Sequence, residues 1–209
     1  ILIGLVGSEM CIRDSIKGEL GEEFVSRYPA DALPVLCRVI HTTADFSYRD
    51  TLTITEGAIG LAKEAIHRGL PIITDTTMAA SGINKTAARK FGIDVHCFIG
   101  DEDVKEAAKA SGMTRSAVSA EKAARLYSEC IYAVGNAPTA LMRLYELIEE
   151  KKIRPALIIG VPVGFVNVVE AKELILRTDV PAIVARGRKG GSNIAAAICN
   201  ALLYEAGGR

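Results

Sequence analysis

The chain has 209 residues, of which 24% are charged, with 25 Lys and Arg against 25 Asp and Glu. A chain of this length can bury a core large enough for one domain without disulfide bonds or a structural metal. Because the formal net charge is zero, no overall positive field attracts nucleic acid or an anionic membrane, and we expect neither as a partner.

The chain contains five cysteines, Cys11, Cys37, Cys97, Cys130 and Cys199. Their number is odd and they form no Cys-x-x-Cys pair, which argues against a disulfide framework and against a zinc site. Reduced thiols are typical of the cytoplasm, and no segment is long and apolar enough to span a bilayer. We therefore expect a cytoplasmic protein with no bound metal and no membrane contact.

The first fifteen residues begin apolar but lack a basic region and a small-residue cleavage site, so they do not predict a signal peptide. Residues 8–15, Ser-Glu-Met-Cys-Ile-Arg-Asp-Ser, are similar to translated adapter remnants that contaminate some environmental gene sequences. The sequence therefore predicts a non-native or disordered leader over residues 1–15 and a single α/β domain over residues 16–209. We assign no function to Cys11 or Ser15.

His41 follows the apolar run 35–40 and precedes a polar segment. At such a boundary an imidazole can be partly buried and still reachable, and imidazole titrates close to neutral pH, which suits proton transfer. If the local turn is helical, Asp45 could orient the ring from four residues on. A lone histidine is more often a structural hydrogen-bonding group, so both interpretations stay open at this point. His67, on a predicted surface helix, and His96, in a predicted strand, are expected to be structural.

From about residue 55 onward, short apolar runs alternate with longer segments of helical period, the pattern of βα units around a parallel sheet. The predicted strands cover residues 71–74, 94–99, 130–134, 156–161 and 182–185. The predicted helices cover residues 56–67, 116–128, 139–149, 168–176 and 193–203. The sequence thus predicts an α/β fold of three layers, α/β/α, with a mainly parallel sheet of about five strands.

Ligands of parallel sheets bind beyond the carboxyl ends of the strands, so the segments that follow the strands form the candidate site. Four such loops cover residues 74–82, 135–138, 160–165 and 186–193. If their strands are parallel and adjacent, all four loops meet at one edge of the sheet. They would then form a pocket that offers backbone N–H donors and side-chain cations.

Three residues in or near these loops give weaker signals. Asp75 ends a strand and could bind a donor group of a ligand, although Asp before a helix is commonly an N-cap. Arg115 lies at the start of a predicted helix, where a cation gains nothing from the helix dipole, so it either faces a ligand or is solvated. Asn136 stands beside Pro138 in a predicted first helical turn and is either a cap or a ligand contact.

The loop at residues 186–193 is the most informative, because it holds three cations and three glycines between a buried strand and a helix. Glycines let a ligand approach the backbone, and a helix amino terminus presents unpaired N–H groups to an anion. The pattern favours an anion-binding loop, although neither a Walker A motif nor a Gly-x-Gly-x-x-Gly fingerprint is present. The alternative is a solvated turn capped by Ser192 or Asn193.

The chain resembles the precorrin-8X methylmutases in five segments, at residues 38–46, 74–83, 135–141, 161–170 and 186–195. The resemblance covers residues 21–205 in the family's order and spacing. The continuation Thr-Thr-Ala-Asp-Phe after His41 is similar to the branch that acts on cobalt-precorrin-8. One departure is that the family usually has a Ser-containing first helix at the substrate site, and here the predicted leader occupies that stretch.

The resemblance implies an isomerase that moves one methyl group within precorrin-8 or cobalt-precorrin-8, giving hydrogenobyrinate or cobyrinate. It implies no cofactor, since the rearrangement is internal to this tetrapyrrole, and a homodimer with the site near the interface. His41 matches the family's proton donor and acceptor. The substrate-binding residues expected from the loops and the resemblance are Arg38, Thr42, Thr43, Asp75, Met78, Ser81, Arg115, Asn136, Val163, Arg186, Arg188, Lys189, Gly190 and Ser192.

Two other functions fit the same residues. A non-catalytic tetrapyrrole carrier would use the same cationic edge for binding alone. An enzyme acting on a phosphorylated small molecule would use the loop at residues 186–193 for phosphate, and His41 would then be structural.

Overall fold

The computed structural model describes the backbone of residues 5–208 and the side chains of residues 10–208. The strands are β1 (Leu52–Ile54), β2 (Ile72–Thr74), β3 (Val95–His96), β4 (Ile131–Val134), β5 (Leu157–Gly160) and β6 (Ala182–Ala185). The helices are α1 (Leu5–Leu20), α2 (Glu22–Arg27), α3 (Leu33–Thr43), α4 (Tyr48–Thr51), α5 (Ala58–His67), α6 (Thr77–Gly82), α7 (Lys85–Arg89), α8 (Glu102–Ser111), α9 (Arg115–Leu126), α10 (Pro138–Glu149), α11 (Val168–Leu176) and α12 (Ser192–Ala206).

The strands form one sheet in the order β1-β6-β5-β4-β2-β3. All neighbouring pairs are parallel except β1 and β6, which are antiparallel with Leu52 opposite Ala185. The predicted mainly parallel α/β fold is confirmed, and the expected count of about five strands missed the edge strand β1. That strand has only three residues and directly follows the short helix α4, so it carries too little period-two signal to be predicted.

Successive residues of the strands pack into two separate hydrophobic cores, one on each face of the sheet. Ile131 of β4 packs in the core beneath α3, α5 and α12, whereas the next residue, Tyr132, packs in the core beneath α8 to α11. Ile72 and Ile73 of β2 divide in the same way. Because helices cover both faces, the strands are apolar throughout rather than alternating, and the three layers are those predicted.

Most predicted helices end within three residues of their observed bounds, and the bounds of α11 and β6 coincide with the prediction. The helices α1 to α4, α6, α7 and α8 were not predicted. In α8 only Val104 and Ala108 are buried, so its apolar stripe is too narrow to show in the sequence. Conversely, the predicted strand 94–99 shortens to the two residues of β3.

The predicted boundary between residues 15 and 16 lies inside α1, whose backbone is helical from Leu5 onward. Ile16 and Leu20 of this helix are buried against the core that contains α3. The described part of the expected leader is therefore helical, and its non-native origin stays a prediction. Residues 1–4 of that leader, and residue 209, lie outside the described residues.

Candidate active site

The four loops that follow β2, β4, β5 and β6 lie at one edge of the sheet, as the sequence predicts, because these strands are adjacent and parallel. Hydrogen bonds join the loops directly. The hydroxyl groups of Thr76 and Ser192 lie 2.8 Å apart, and the Gly191 N–H donates to the Val161 carbonyl at 2.8 Å. The Gly164 N–H donates to the Arg188 carbonyl at 3.2 Å. We call this set of joined loops the rim.

Asp75 fastens the loop after β2 to the loop after β4. Its carboxylate accepts from the backbone N–H groups of Gly135, Asn136 and Ala137, each at 2.8 Å. Burial raises the pKa of Asp75, and the three backbone donors oppose that shift. Asp75 is 2% exposed, and both of its carboxylate oxygens accept hydrogen bonds from the backbone. Asp75 therefore supports the rim from below and does not lie at its surface. It is also not the N-cap of α6, since Thr76 accepts from the Ala79 N–H there.

Two glycines of the rim are required by close backbone contacts. A Cβ atom on Gly190 would lie 2.2 Å from the Val161 carbonyl oxygen and 2.6 Å from that of Pro162. A Cβ atom on Gly135 would lie 2.6 Å from the Cα atom of Ser192. Gly190 was predicted as a substrate contact, and the structure gives it a packing role between two loops of the rim.

The cations of the loop after β6 differ in their partners. Arg186 donates to both carboxylate oxygens of Glu173, at 2.9 and 2.7 Å. Lys189 donates to the Asp45 carboxylate at 2.6 Å and to the Ser47 hydroxyl at 2.9 Å.

Arg188 has no carboxylate partner among the residues that the structure describes. Its Cζ atom lies 5.9 Å from the centroid of the Phe165 ring, a cation–π contact. The expected loop of three available cations is thus reduced to one that is free for an anion and two that are held by acids. The capped-turn alternative fails as well, because α12 begins after Gly191 without a side-chain cap.

A buried lysine that sequence reasoning missed supports the same loop. Lys172 of α11 is 0% exposed, and its Nζ atom donates to the carbonyls of Gly187 at 2.8 Å and Lys189 at 2.9 Å. Burial lowers the pKa of Lys172 from 10.5 to about 8. The sequence does carry a signal, since Lys172 occupies an apolar-periodic position between Val168 and Ile175.

His41 lies on the last turn of α3, four residues before Asp45, which pairs with Lys189 of the loop after β6. The helix ends at Thr43, and its C-cap Ala44 adopts a left-handed conformation with φ of 52°, so Asp45 leaves the helical path. The predicted orientation of His41 by Asp45 is therefore wrong, because Lys189 and the Ser47 N–H occupy that carboxylate. The ring of His41 is exposed and has no hydrogen-bond partner within residues 10–208.

The neighbours of His41 on α3 are more constrained. The hydroxyls of Thr42 and Thr43 donate back to the carbonyls of Arg38 and Val39, each at 2.8 Å. The Arg38 guanidinium lies 5.4 Å from the centroid of the Tyr204 ring of α12. This contact holds α3 against α12, the helix that starts at the rim.

The surface around the rim is apolar and exposed. The exposed fractions are 83% for Phe165, 76% for Val166, 68% for Met78 and 45% for Val163. Ser81, Asn136 and Arg115 are exposed as well. Arg115 follows Thr114, whose hydroxyl bonds that of Thr139 on α10, so Arg115 stands near the loop after β4.

The other expected features lie away from the rim. His67 is exposed at the end of α5, and His96 bonds the Tyr127 hydroxyl at 3.0 Å, which fits the structural roles predicted for both. A cavity of about 560 Å³ lined by Leu20, Phe24 and Arg49 holds none of the predicted site residues. Within residues 5–208 no helix is long and apolar enough to cross a membrane, and no cluster of His, Cys, Asp and Glu could hold a metal ion.

A family model described as precorrin-8X methylmutase matches residues 12–205. The chain is 46% identical over 177 residues to a cobalt-precorrin-8 methylmutase of Leptospira interrogans, a match that covers 81% of this chain and 80% of the relative. It is 36% identical over 198 residues to a precorrin-8X methylmutase of Pseudomonas aeruginosa, covering 92% and 93%. A solved structure of a precorrin-8X methyl mutase from Thermus thermophilus has a TM-score of 0.85 at 36% identity and covers 96% of this chain and 97% of its own.

Proposed function

This chain belongs to the precorrin-8X methylmutase family and is an isomerase of corrin biosynthesis, and we propose that it moves one methyl group within cobalt-precorrin-8 with His41 as proton donor and acceptor. The migration is internal to the substrate, so its atoms and electrons balance without an external methyl donor. The residues of the rim hold the ring, and His41 exchanges a proton with it.

The observation that carries this proposal is the combination of one free cation and an apolar surface at the rim. Arg188 has no carboxylate partner in the described part of the chain and lies against Phe165, and Val163 and Met78 of the joined loops expose apolar side chains. A corrin-type ring has an apolar face and peripheral acetate and propionate groups, so it needs both kinds of contact. Guanidinium groups bind such carboxylates through paired hydrogen bonds.

The exposed ring of His41 suits proton transfer to a bound macrocycle. Its nitrogens are not occupied by any residue among those described, so a substrate can reach them. A positioned acid–base group typically contributes about 10²–10⁴-fold to a rate, and orientation of the ring must supply the rest. Arg38 and Thr42, on the same turns of α3, stand where they can line this approach.

The similarity to relatives favours the cobalt-containing substrate over the metal-free one. The Leptospira relative at 46% identity is named a cobalt-precorrin-8 methylmutase, and the Pseudomonas relative at 36% is named for precorrin-8X. The sequence continuation after His41 supports the same branch. We treat cobalt here as part of the substrate.

We further propose that the protein is a cytoplasmic homodimer. The side chains of Phe165 and Val166 are more than three-quarters exposed in one chain, and large apolar patches of this kind mark interfaces or ligand grooves. Together with the substrate ring, a second chain at the rim would cover this surface.

Absorbance spectroscopy with both substrates tests the proposal. We expect the wild-type chain to change the spectrum of cobalt-precorrin-8, and His41→Ala to bind the ring with about unchanged affinity while turnover falls by about 10²–10⁴-fold. His67→Ala, another exposed histidine on a helix far from the rim, is the matched control and keeps full turnover. Binding without isomerisation by the wild type would favour the carrier, and no spectral change in a folded protein would favour an enzyme of phosphorylated substrates.

A further inference from the structure

Lys172 makes an unusual contact for a fully buried lysine, because its ammonium group binds backbone carbonyls and no carboxylate within residues 10–208. Its two acceptors, on Gly187 and Lys189, stand on either side of Arg188. Burying a cation is unfavourable unless its hydrogens are satisfied, and a Met of similar length would fill this space without that cost. The lysine therefore needs an explanation other than packing.

The backbone carbonyls of residues 187, 188 and 189 each accept a hydrogen bond. Lys172 binds the carbonyls before and after it, and the Gly164 N–H binds the carbonyl of Arg188 itself. Gly187, with φ of 78°, lets the chain turn so that two carbonyls face the ammonium group. The side chain of Arg188 is consequently carried on a fixed backbone, while its guanidinium rests against Phe165.

The other charges near Lys172 are already paired. Glu173, the next residue on α11, binds Arg186, and Lys189 binds Asp45. Neither acid is available to Lys172. The charge of Lys172 therefore acts on the carbonyl dipoles of the loop and adds to the positive character of the rim.

We propose that Lys172 is a positioning residue, which fixes the backbone on both sides of Arg188 and thereby aims the one acid-free guanidinium of the loop at the substrate's carboxylates. The inference rests on the proposed function, because it assigns Arg188 to that substrate. Lys172 itself is buried and touches no substrate. Its effect is on binding and reaches the substrate through Arg188.

A double-mutant cycle between Lys172→Met and Arg188→Ala tests the inference. We expect Lys172→Met to raise KM for the tetrapyrrole by about tenfold with kcat changed less than about twofold, as when one charge-assisted contact is lost. In the Arg188→Ala background the same change should raise KM by less than about twofold, because there is no guanidinium left to aim. Ile175→Val, a buried change on the same helix away from the loop, is the control and leaves KM unaltered.

Amide hydrogen exchange gives a readout that needs no substrate. In Lys172→Met the amides of Gly164 and Gly191, which bond across the loops, should exchange at least about tenfold faster, while amides of β4 stay as in the wild type. Faster exchange together with an inactive wild-type chain would locate the failure in the proposed function. Normal turnover with unchanged KM in Lys172→Met would overturn the positioning role alone.

The positioning role would also be overturned if Lys172→Met raised KM by the same factor with and without Arg188→Ala. Lys172 would then act on the fold in general and not through Arg188. If Lys172→Met does not fold, Lys172→Gln retains amide donors in a similar volume, and we expect it to fold with an intermediate KM. Failure of both variants to fold would assign Lys172 to folding and reject the inference.

Discussion

Replacing Asp75 by Asn should weaken the fold by removing one acceptor from a cluster of three backbone N–H donors. The wild-type carboxylate accepts from Gly135 with one oxygen and from Asn136 and Ala137 with the other. An Asn side chain has a single acceptor oxygen, so its NH₂ group must face at least one backbone N–H. An unsatisfied buried donor costs about 1–3 kcal/mol, and the remaining bonds lose their charge assistance.

Two opposing effects set the expected size of the loss. Burial raises the pKa of Asp75, so the charge itself is unfavourable in this place, and a neutral amide relieves part of that penalty. We therefore expect Asp75→Asn to lower the free energy of unfolding by about 2 kcal/mol, and Asp75→Ala, which leaves three donors without an acceptor, by about 3–6 kcal/mol.

Urea unfolding at neutral pH, followed by circular dichroism, measures both losses. Asp179→Asn is the matched control, since Asp179 forms an exposed ion pair with Arg154 at 3.0 Å and should contribute less than about 0.5 kcal/mol. If Asp75→Asn unfolds within about 0.5 kcal/mol of the wild type, the three N–H groups do not depend on this carboxylate. The account of Asp75 as the support of the rim would then be refuted.

Three further predictions follow from single contacts. Tyr132→Phe removes a buried hydroxyl that has no partner in the described residues. The free energy of unfolding should stay equal to that of the wild type or rise by up to about 1 kcal/mol. A lower free energy of unfolding would show that the hydroxyl is hydrogen-bonded. Gly190→Ala should lower it by about 1–3 kcal/mol through the clash with Val161, measured against Gly100→Ala, whose Cβ would meet open space. Burial lowers the pKa of Lys172 from 10.5 to about 8 in the folded state, so the unfolded chain keeps this proton to higher pH. The free energy of unfolding of the wild type, relative to that of Lys172→Met, should therefore rise between pH 8 and 10.5. A difference that stays flat or falls over this range in urea unfolding would contradict this.

The layered fold was predictable because its signals are local. Strands such as β6 are short runs of buried residues, and α11 shows the helical period clearly, so both could be bounded from the sequence. The strand β1 could not be predicted, because its three residues owe their extended form to pairing with β6, whose partners lie 129 to 133 residues further along the chain, as for Leu52 opposite Ala185. Pairing over such a separation leaves no periodicity in the sequence.

The meeting of the four loops at one edge of the sheet was predictable to the same degree, and the pairing of the charges within them was not. Loops after adjacent parallel strands must meet at one edge, so the rim followed from strand order. The partners of its charges did not follow, because Lys189 meets Asp45 across 144 residues of sequence and Asp75 meets the loop after β4 across about 60. Cations that are equivalent in the sequence thus become different in the fold.

Under the proposed function, that difference would let a chain of zero net charge bind a polyanion selectively. Acids neutralise Arg186 and Lys189 within the loop itself, so the rim does not present a broad positive field of the kind that draws nucleic acid. Arg188 keeps its charge on a backbone whose neighbouring carbonyls are bound by Lys172. If Lys172 positions Arg188 as we propose, the guanidinium loses less conformational entropy when it meets a carboxylate, and recognition then depends on the position of that carboxylate more than on the total charge of the ligand.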